Sequence, residues 1–364
     1  MTTQTDSKAN ISQWLMVFWR SAAVPLVAVI LALLVGAIIL LISGANPLAA
    51  YSALAKGAFG TPIAFGRTLE KATPLILGGL AVAFAFKGGL FNIGGQGQLL
   101  VGAIVAAAVG FGIDGLPFII HMPLALLVGS LAGAVYGAIP GALKAYTGAH
   151  EVITTIMLNF IAINLTDFMA NGPWKDEGIV ARTPAIAEAA AIPTWGNIPI
   201  GFFFAVVAAL ATWYLLYRTT IGYEIRTVGF NSNAAKYAGI GVSYTIILTM
   251  AISGFLAGMG GAIETLGVVG RYQPGFNAGL GFDGITIALL ARTNPIGVIP
   301  AALLVGAMQA GSSQMQFDAN VPFQIIDVIQ ALILFFVSAD MIVRWIIRVK
   351  PEEGEQVTLS TSWG

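Results

Sequence analysis

The chain has 364 residues, of which 57% are hydrophobic and only 9% are charged, and its mean hydropathy is +0.85. A soluble domain carries about 25% charged residues, so this composition excludes a soluble globular protein. The 17 basic and 17 acidic residues cancel, which argues against a nucleic-acid-binding surface. The chain has no cysteine and only two histidines, so we predict neither disulfides nor a metal site.

Apolar tracts recur along the chain at the length of about 20 residues that an α-helix needs to cross a bilayer. They predict an all-α polytopic membrane protein with about ten transmembrane helices, some of them discontinuous. The predicted spans are 22–43, 72–87, 93–112, 122–147, 151–170, 198–217, 244–268, 280–292, 295–316 and 322–347. A division into five plus five spans is compatible with a duplicated architecture.

The distribution of positive charge predicts the orientation of these spans. With the N-terminus inside, 11 of the 17 Lys and Arg residues face the cytoplasm, as the positive-inside rule requires. Segments 1–21 and 348–364 are then cytoplasmic, and 22–347 is the transmembrane region. Two external segments are longer than tight turns. We interpret 44–71 as a helix on the outer face, and 171–197 as a cap, a docking surface or a solvated connector.

A glycine-rich segment, KGGLFNIGGQGQ at 87–98, separates two apolar tracts at membrane depth. Non-helical backbone at this depth is tolerated only where protein buries it or a watery cavity lines it. One interpretation is a polar part of a translocation path that includes Phe91. The other is a tight re-entrant turn in which glycine serves only close packing. The chain contains no G-x-x-x-x-G-K-[ST] motif, so it does not resemble a protein that hydrolyses ATP by itself.

Glycines in the span 122–147 recur every fourth residue, at Gly129, Gly133, Gly137 and Gly141. This spacing creates a groove on one helix face that another helix can approach closely. The pair Gly254 and Gly258 in the span 244–268 has the same pattern. We predict close helix–helix contacts on these faces.

The segment 218–243 is a polar interruption between two apolar spans, with Arg218, Glu224, Arg226 and Lys236. It has the length of about one small helix and a turn. We interpret it as a docking element for a soluble cytoplasmic partner. The other interpretation is a surface loop with incidental helicity.

Three motifs, in order along the chain, resemble the permease subunits of binding-protein-dependent ABC importers. The closest branch serves nucleosides and simple sugars and is related to branched-chain amino acid permeases. The motifs are 87–98 followed by LLVGA, GAHEVITTIMLNFIA at 148–162 and GFNSNAAKYAGI at 229–240. The resemblance covers about residues 22–347, which would be the permease domain. Asn233 stands where the wider superfamily has Glu, and no Leu-Pro follows Gly239.

The resemblance implies translocation of a neutral polar solute, with nucleosides expected, by alternating access in the bacterial plasma membrane. ATP would be hydrolysed on a separate cytoplasmic ABC ATPase subunit, so this chain would need no catalytic residue and no cofactor. Further expected partners are a second, related permease chain, or a second copy of this chain, and an extracytoplasmic solute-binding protein at 44–71 and 171–197. Membrane lipid would surround the spans.

The expected functional residues fall into two groups. The expected substrate path contains Phe91, Asn92, Gln96, Gln98 and Asn159. The expected contact with the ATPase, the coupling loop 218–243, contains Glu224, Arg226, Asn231, Ala234, Ala235, Tyr237 and Gly239.

Other functions are kept as alternatives. A sugar importer permease of the same family would have an equally suitable polar path. An ion-coupled secondary transporter would rest on Asp327, the carboxylate closest to the middle of a predicted span. A channel or membrane scaffold would lack transport coupling altogether.

Overall fold

The computed structural model describes residues 25–275, 279–322 and 324–338, which are mainly helical. The predicted cytoplasmic segments 1–21 and 348–364 lie outside the described residues. The helices are α1 Pro25–Ile42, α2 Pro47–Phe59, α3 Pro62–Lys87, α4 Gly95–Gly112, α5 Phe118–Thr147, α6 Glu151–Asn171, α7 Ile200–Arg218, α8 Thr220–Phe230, α9 Ser232–Tyr237, α10 Val242–Glu264, α11 Leu280–Leu290, α12 Val298–Ala319 and α13 Gln324–Ser338. A π-helical turn, Thr265–Val269, extends α10.

The described residues form two compact units. One comprises 25–51 with 315–322 and 324–338, where the hydroxyl of Tyr51 donates a hydrogen bond to the carbonyl of Leu33 (2.7 Å). The other comprises 52–314 and contains every predicted site residue of the substrate path and the coupling loop. In the second unit α3, α4 and α10 are the most buried of the long helices, and they form its centre.

Seven helices in the described part of the chain are long and apolar enough to cross a membrane: α1, α3, α4, α5, α6, α7 and α10 with its extension. The all-α polytopic prediction is therefore confirmed. The last three predicted spans correspond to α11, α12 and α13. With 11 residues, α11 is about half the length that a bilayer requires. In α12, Gln309, Ser312 and Gln314 lower the hydropathy. The five-plus-five division stays a prediction.

The second predicted span begins ten residues earlier than its hydropathy indicates. We predicted 72–87, whereas α3 runs from Pro62 to Lys87. Thr61 caps the N-terminus by accepting a hydrogen bond from the Ala64 backbone (3.1 Å), and proline is favoured at the first helical position. The charged residues near position 70 interrupt the apolar pattern without interrupting the helix. The external segment 44–71 therefore holds α2 and the first turns of α3.

The glycine ladder of α5 packs against α10, as its spacing predicts. A Cβ atom on Gly133 would lie 2.5 Å from the Gly254 carbonyl oxygen and 2.7 Å from the Gly258 Cα. A Cβ on Gly137 would lie 2.6 Å from the carbonyl oxygen of Met250. Ordinary contact between such atoms needs about 3.5–4.0 Å. The two helices therefore touch backbone to backbone, and only glycine permits this distance.

The predicted external segment 171–197 is folded, and we use the name cap for it. It contains a short 3-10 helix, Glu188–Ala190, and the strand β1, Thr194–Trp195, which pairs antiparallel with β2, Ile198–Pro199, directly after the segment. The Ala187 amide donates to the carbonyl of Gly110, and the Ile192 amide donates to that of Leu266 (both 2.9 Å). These bonds attach the segment to the ends of α4 and α10, so it is not a solvated connector.

Polar side chains hold the start of the cap against the segment that follows α10. Asp176 forms ion pairs with Arg182 (3.2 Å) and Arg271 (3.5 Å). Beside them the buried Tyr272 hydroxyl donates to Thr166 of α6 (2.8 Å). Burial raises the pKa of Tyr272 to about 12, so the phenol remains a hydrogen-bond donor across the physiological pH range.

The α5–α10 contact predicts the effect of adding one methyl group. Gly133→Ala should destabilise the protein by up to about 2 kcal/mol, because an overpacking cost of about 1–3 kcal/mol exceeds the gain of about 1 kcal/mol in helix propensity. The thermal unfolding midpoint in detergent measures this. Gly112→Ala, at the end of α4 with no atom within 4 Å of the new Cβ, is the matched control and should leave the midpoint unchanged or raise it. Equal midpoints for the two variants would contradict the contact.

Candidate functional site

The sequence between α3 and α4 is non-helical, as the glycine-rich segment predicts. Helix α3 ends at Lys87 and α4 begins at Gly95. Gly89 has a φ of +69°, a left-handed conformation that favours glycine. The Leu90 amide donates to the carbonyl of Ala85 (3.0 Å), which closes the end of α3. The chain therefore turns sharply and leaves backbone groups that need partners.

Asn92 provides one of these partners and is itself held by two other side chains. Its Nδ2 donates to Gln98 Oε1 and to Ser253 Oγ of α10 (both 2.8 Å). Its Oδ1 accepts from the Gly94 amide (2.9 Å) and from Gln98 Nε2 (3.2 Å). Ser253 in turn donates to the carbonyl of Ala81 in α3 (2.6 Å). One side chain thus connects the non-helical residues 88–94, which we call the break, to the start of α4 and the middle of α10.

Two further amides connect the break to other helices. Gln96 Oε1 accepts from the Gly281 amide in the first turn of α11 (2.8 Å). Asn159 of α6 accepts from the Gly97 amide (2.8 Å) and donates to the carbonyl of Ile93 (2.9 Å). The break is thereby held by α6 and α10, and α11 holds the first turn of α4 that follows it.

We call Asn92, Gln96, Gln98 and Asn159 the amide cluster. Each is at most 3% exposed, so all four lie inside the unit rather than on its surface. The fifth predicted path residue, Phe91, is half-buried and packs edge-on against Phe86, with ring centroids 4.9 Å apart. The structure thus brings the predicted path residues into one buried region, in which neutral amides carry hydrogen-bond donors and acceptors without charge.

Sequence analysis missed two members of this network, Ser253 and Gly281. Ser253 is a single hydroxyl in an apolar span, and Gly281 contributes only a backbone N–H. Neither residue type carries a signal of its own. The features that pointed to this region were the glycines and amides that interrupt the apolar tract, and the resemblance of 87–98 to ABC importer permeases.

The predicted coupling loop folds into two short helices, α8 and α9. Asn231 caps α9, since its Oδ1 accepts from the Ala234 amide (2.9 Å). Gly239 has a φ of +83° and ends α9, and the Ile240 amide donates to the carbonyl of Ala235 (3.0 Å). These two predicted coupling residues therefore fix the shape of the loop.

The other predicted coupling residues differ in exposure. Tyr237 is 95% exposed, whereas Ala235 is fully buried. Ala234 lies on the exposed side of the short helix. Glu224 and Arg226 are half-buried on α8, and the Arg226 guanidinium lies 5.1 Å from the centre of the Tyr217 ring. The loop is thus anchored by its buried residues and presents an aromatic side chain outward.

Asp327, on which an ion-coupled mechanism would rest, lies in the first turn of α13 and is exposed. A buried carboxylate at mid-depth is the arrangement that proton coupling favours. Among the described residues, no group of three His, Asp or Glu side chains is placed to hold a metal ion.

Comparison with protein families identifies the class of protein. Residues 64–338 match the family described as the permease component of the branched-chain amino acid transport system. The match covers most of the chain, including the amide cluster and the coupling loop, so the chain belongs to this family. With seven long apolar helices in the described residues, it is a multi-pass permease of the bacterial plasma membrane.

Individual relatives cover most of the chain. The guanosine ABC transporter permease protein NupP of Bacillus subtilis is 41% identical over 91% of this chain and 97% of its own length. The nucleoside ABC transporter permease protein NupB of Lactococcus lactis is 36% identical over 89% and 92%. The glucose ABC transporter permease protein TsgB13 of Haloferax volcanii is 32% identical over 94% and 92%. Bacillus subtilis also has a second guanosine permease protein, NupQ, 29% identical over 67% of this chain and 79% of its own length.

The amide cluster predicts a cost for removing one amide. Asn159→Leu leaves the Gly97 N–H and the Ile93 carbonyl without partners inside the protein. It should therefore lower the free energy of unfolding by at least about 2 kcal/mol. Thermal unfolding in detergent measures the loss. Asn164→Leu is the matched control, because Asn164 is exposed on the same helix and bonds only its own helix backbone. If the two variants unfold at the same temperature, Asn159 does not stabilise the break.

Proposed function

We propose that this chain is the membrane-spanning subunit of an ATP-driven ABC importer that translocates nucleosides by alternating access. The observation that carries the proposal is the buried amide cluster, in a chain whose relatives include a guanosine permease protein at 41% identity. The alternative of a secondary transporter loses its basis, because Asp327, the carboxylate on which it rested, is exposed.

The chemistry of the cluster suits a neutral polar solute. Its amides bond to one another and to backbone groups, and a typical intramolecular hydrogen bond contributes only about 0.5–1.5 kcal/mol net. The amides can therefore exchange these bonds for bonds to the base and ribose of a nucleoside at small net cost. A charged solute would instead require a fixed counter-charge at this depth. We propose that the cluster is closed in the state described here and separates during transport.

The coupling loop is proposed to dock on a cytoplasmic ABC ATPase subunit that binds and hydrolyses ATP. Its exposed side chains support this role: Tyr237 is 95% exposed, Phe230 85% and Tyr223 60%. Large aromatic side chains frequently carry most of the binding energy of a protein interface. They surround a loop whose shape Asn231 and Gly239 fix, so the surface is presented in one conformation. The permease itself then needs no catalytic residue and no cofactor.

Two further partners complete the proposed importer. A second permease chain is supported by the two guanosine permease proteins of Bacillus subtilis. A solute-binding protein is proposed to contact the cap 171–197 and segment 44–71, where Ile179 is 99% and Trp195 76% exposed. The ordered cap offers such a protein a defined surface.

A sugar permease of the same family is the second candidate. The 32% identity to a glucose permease protein supports it, and hydroxyl groups of a sugar suit neutral amides as well as a nucleoside does. The base of a nucleoside distinguishes the two, because it adds an aromatic surface that Phe91 can contact.

The coupling loop gives the first test of this function. Tyr237→Glu should remove the ATPase subunit that co-purifies with the tagged chain in mild detergent, because a charge replaces the exposed aromatic anchor. ATP-dependent guanosine uptake by proteoliposomes should fall with it by at least about tenfold, the loss expected for an interface anchor. Tyr146→Glu is the matched control, since Tyr146 is 76% exposed at the end of α5 and lies outside the loop.

The outcomes separate the candidates. An unchanged ATPase yield for Tyr237→Glu, or equal loss with Tyr146→Glu, would contradict docking at the loop. Uptake of labelled guanosine that excess uridine suppresses and excess glucose does not supports the nucleoside importer. Suppression by glucose alone would establish the sugar permease instead. Uptake that an uncoupler abolishes while ATP is maintained would overturn ATP coupling.

A further inference from the structure

The end of α8 makes a direct backbone contact with the turn that opens the break. A Cβ atom on Gly229 would lie 2.6 Å from the carbonyl carbon of Gly88 and 2.7 Å from the amide nitrogen of Gly89. Conversely, a Cβ on Gly89 would lie 2.9 Å from the Gly229 Cα. These distances are too short for a side chain, so no side chain separates the coupling loop from the turn.

The same turn also contacts α10. A Cβ on Gly88 would lie 2.7 Å from Thr249 Cγ2. Thr249 is buried one helical turn before Ser253, the hydroxyl to which Asn92 donates. Three elements therefore meet at Gly88 and Gly89: α8, α10 and the non-helical stretch itself.

The turn leads directly into the amide cluster. Asn92 follows Gly89 by three residues, and residues 88–94 contain no helix that could absorb a displacement. Closely packed backbone transmits small shifts, because interiors have few voids in which neighbouring groups can relax. Movement of α8 thus reaches Asn92 through the turn, and Ser253 through Thr249.

We infer that Gly229 and Gly88–Gly89 are positioning residues that transmit displacement of the coupling loop to the amide cluster. The inference rests on the proposed function, since the displacement comes from an ATPase docked at Tyr237. The contact contributes no atom to the substrate path. Its role is to make separation of the cluster depend on the position of α8.

The test uses the proposed importer in proteoliposomes: this chain, its co-purifying ATPase and second permease chain, with the solute-binding protein added outside. Gly229→Ala should leave the ATPase bound and hydrolysing ATP while guanosine uptake falls. The ATP hydrolysed per guanosine transported should rise about tenfold, within the range by which mutations on coupling routes act. Gly241→Ala is the matched control in the same loop, because its nearest neighbour, Tyr244 Cβ, would lie 3.8 Å from the new methyl group.

A second pair of variants decides the question if Gly229→Ala fails to assemble. Gly88 has φ −87° and ψ 8°, so alanine is allowed there. Its Cβ would clash with Thr249 Cγ2 at 2.7 Å, whereas Thr249 Oγ1 and the Ala85 carbonyl oxygen would lie at 3.2 and 3.4 Å. Gly88→Ala should raise ATP consumption per guanosine, and adding Thr249→Ser should restore it. Serine removes the clashing methyl group and keeps the hydrogen bond to the Thr245 carbonyl.

Each result has one meaning. A wild-type ratio in Gly229→Ala, an equal rise in Gly241→Ala or a failure of Thr249→Ser to rescue would overturn the inference. Absence of ATP-dependent guanosine uptake in the wild-type complex would overturn the proposed function, which is a separate outcome.

Discussion

The need to satisfy backbone polar groups inside a membrane protein governs the centre of this structure. Residues 88–94 are non-helical between two helices that are mostly buried, so their N–H and C=O groups cannot rely on lipid or on helical neighbours. Asn92 within the break and Asn159 of α6 bond backbone groups of the break directly. Gln98 of α4 and Ser253 of α10 hold the Asn92 side chain, and Gln96 connects the start of α4 to α11. The arrangement of α6, α10 and α11 around the start of α4 follows from this requirement.

Close backbone packing makes the network geometrically feasible. Because glycines allow α5 to touch α10, the middle of α10 is held firmly, and with it Ser253 at the break. Glycine also allows α8 to touch the turn after α3. The residues that link the coupling loop to the amide cluster are thus glycines, which have no side chain, whereas the cluster itself consists of neutral polar side chains. Together they give a permease an interior that is polar, uncharged and connected to its proposed site of ATPase contact.

The sequence predicted much of this arrangement because each prediction depended on a local pattern. The interruption at 87–98 located the break, and the four-residue glycine spacing located the α5 face that packs on α10. The start of α3 was misplaced by ten residues, because charged residues such as Glu70 lower the hydropathy of the sequence there. Hydropathy does not show that the other faces of the same helix are buried. The partners of the cluster could not be predicted. Gly281 lies 185 residues from Gln96, and no local pattern specifies which distant N–H will satisfy a given amide.

The coupling loop shows the same division between local and distant information. Its polarity predicted a docking element, and capping rules account for Asn231 and Gly239. Burial separated residues that the motif had grouped together: Ala235 is inside, whereas Tyr237 is outside. The contact of Gly229 with Gly88 and Gly89 required the three-dimensional structure, because glycine alone does not reveal what lies beside it.

The central claim is that the break is sealed by the amide cluster at rest and separates during transport. Amide hydrogen exchange of residues 92–98 in the ATPase complex tests it most directly, measured at rest and during guanosine-driven ATP turnover. The account predicts exchange as slow as in the middle of α10 at rest and markedly faster exchange during turnover. Fast exchange at rest would show that the break is not sealed. Equally slow exchange in both conditions would show that the cluster does not separate during transport.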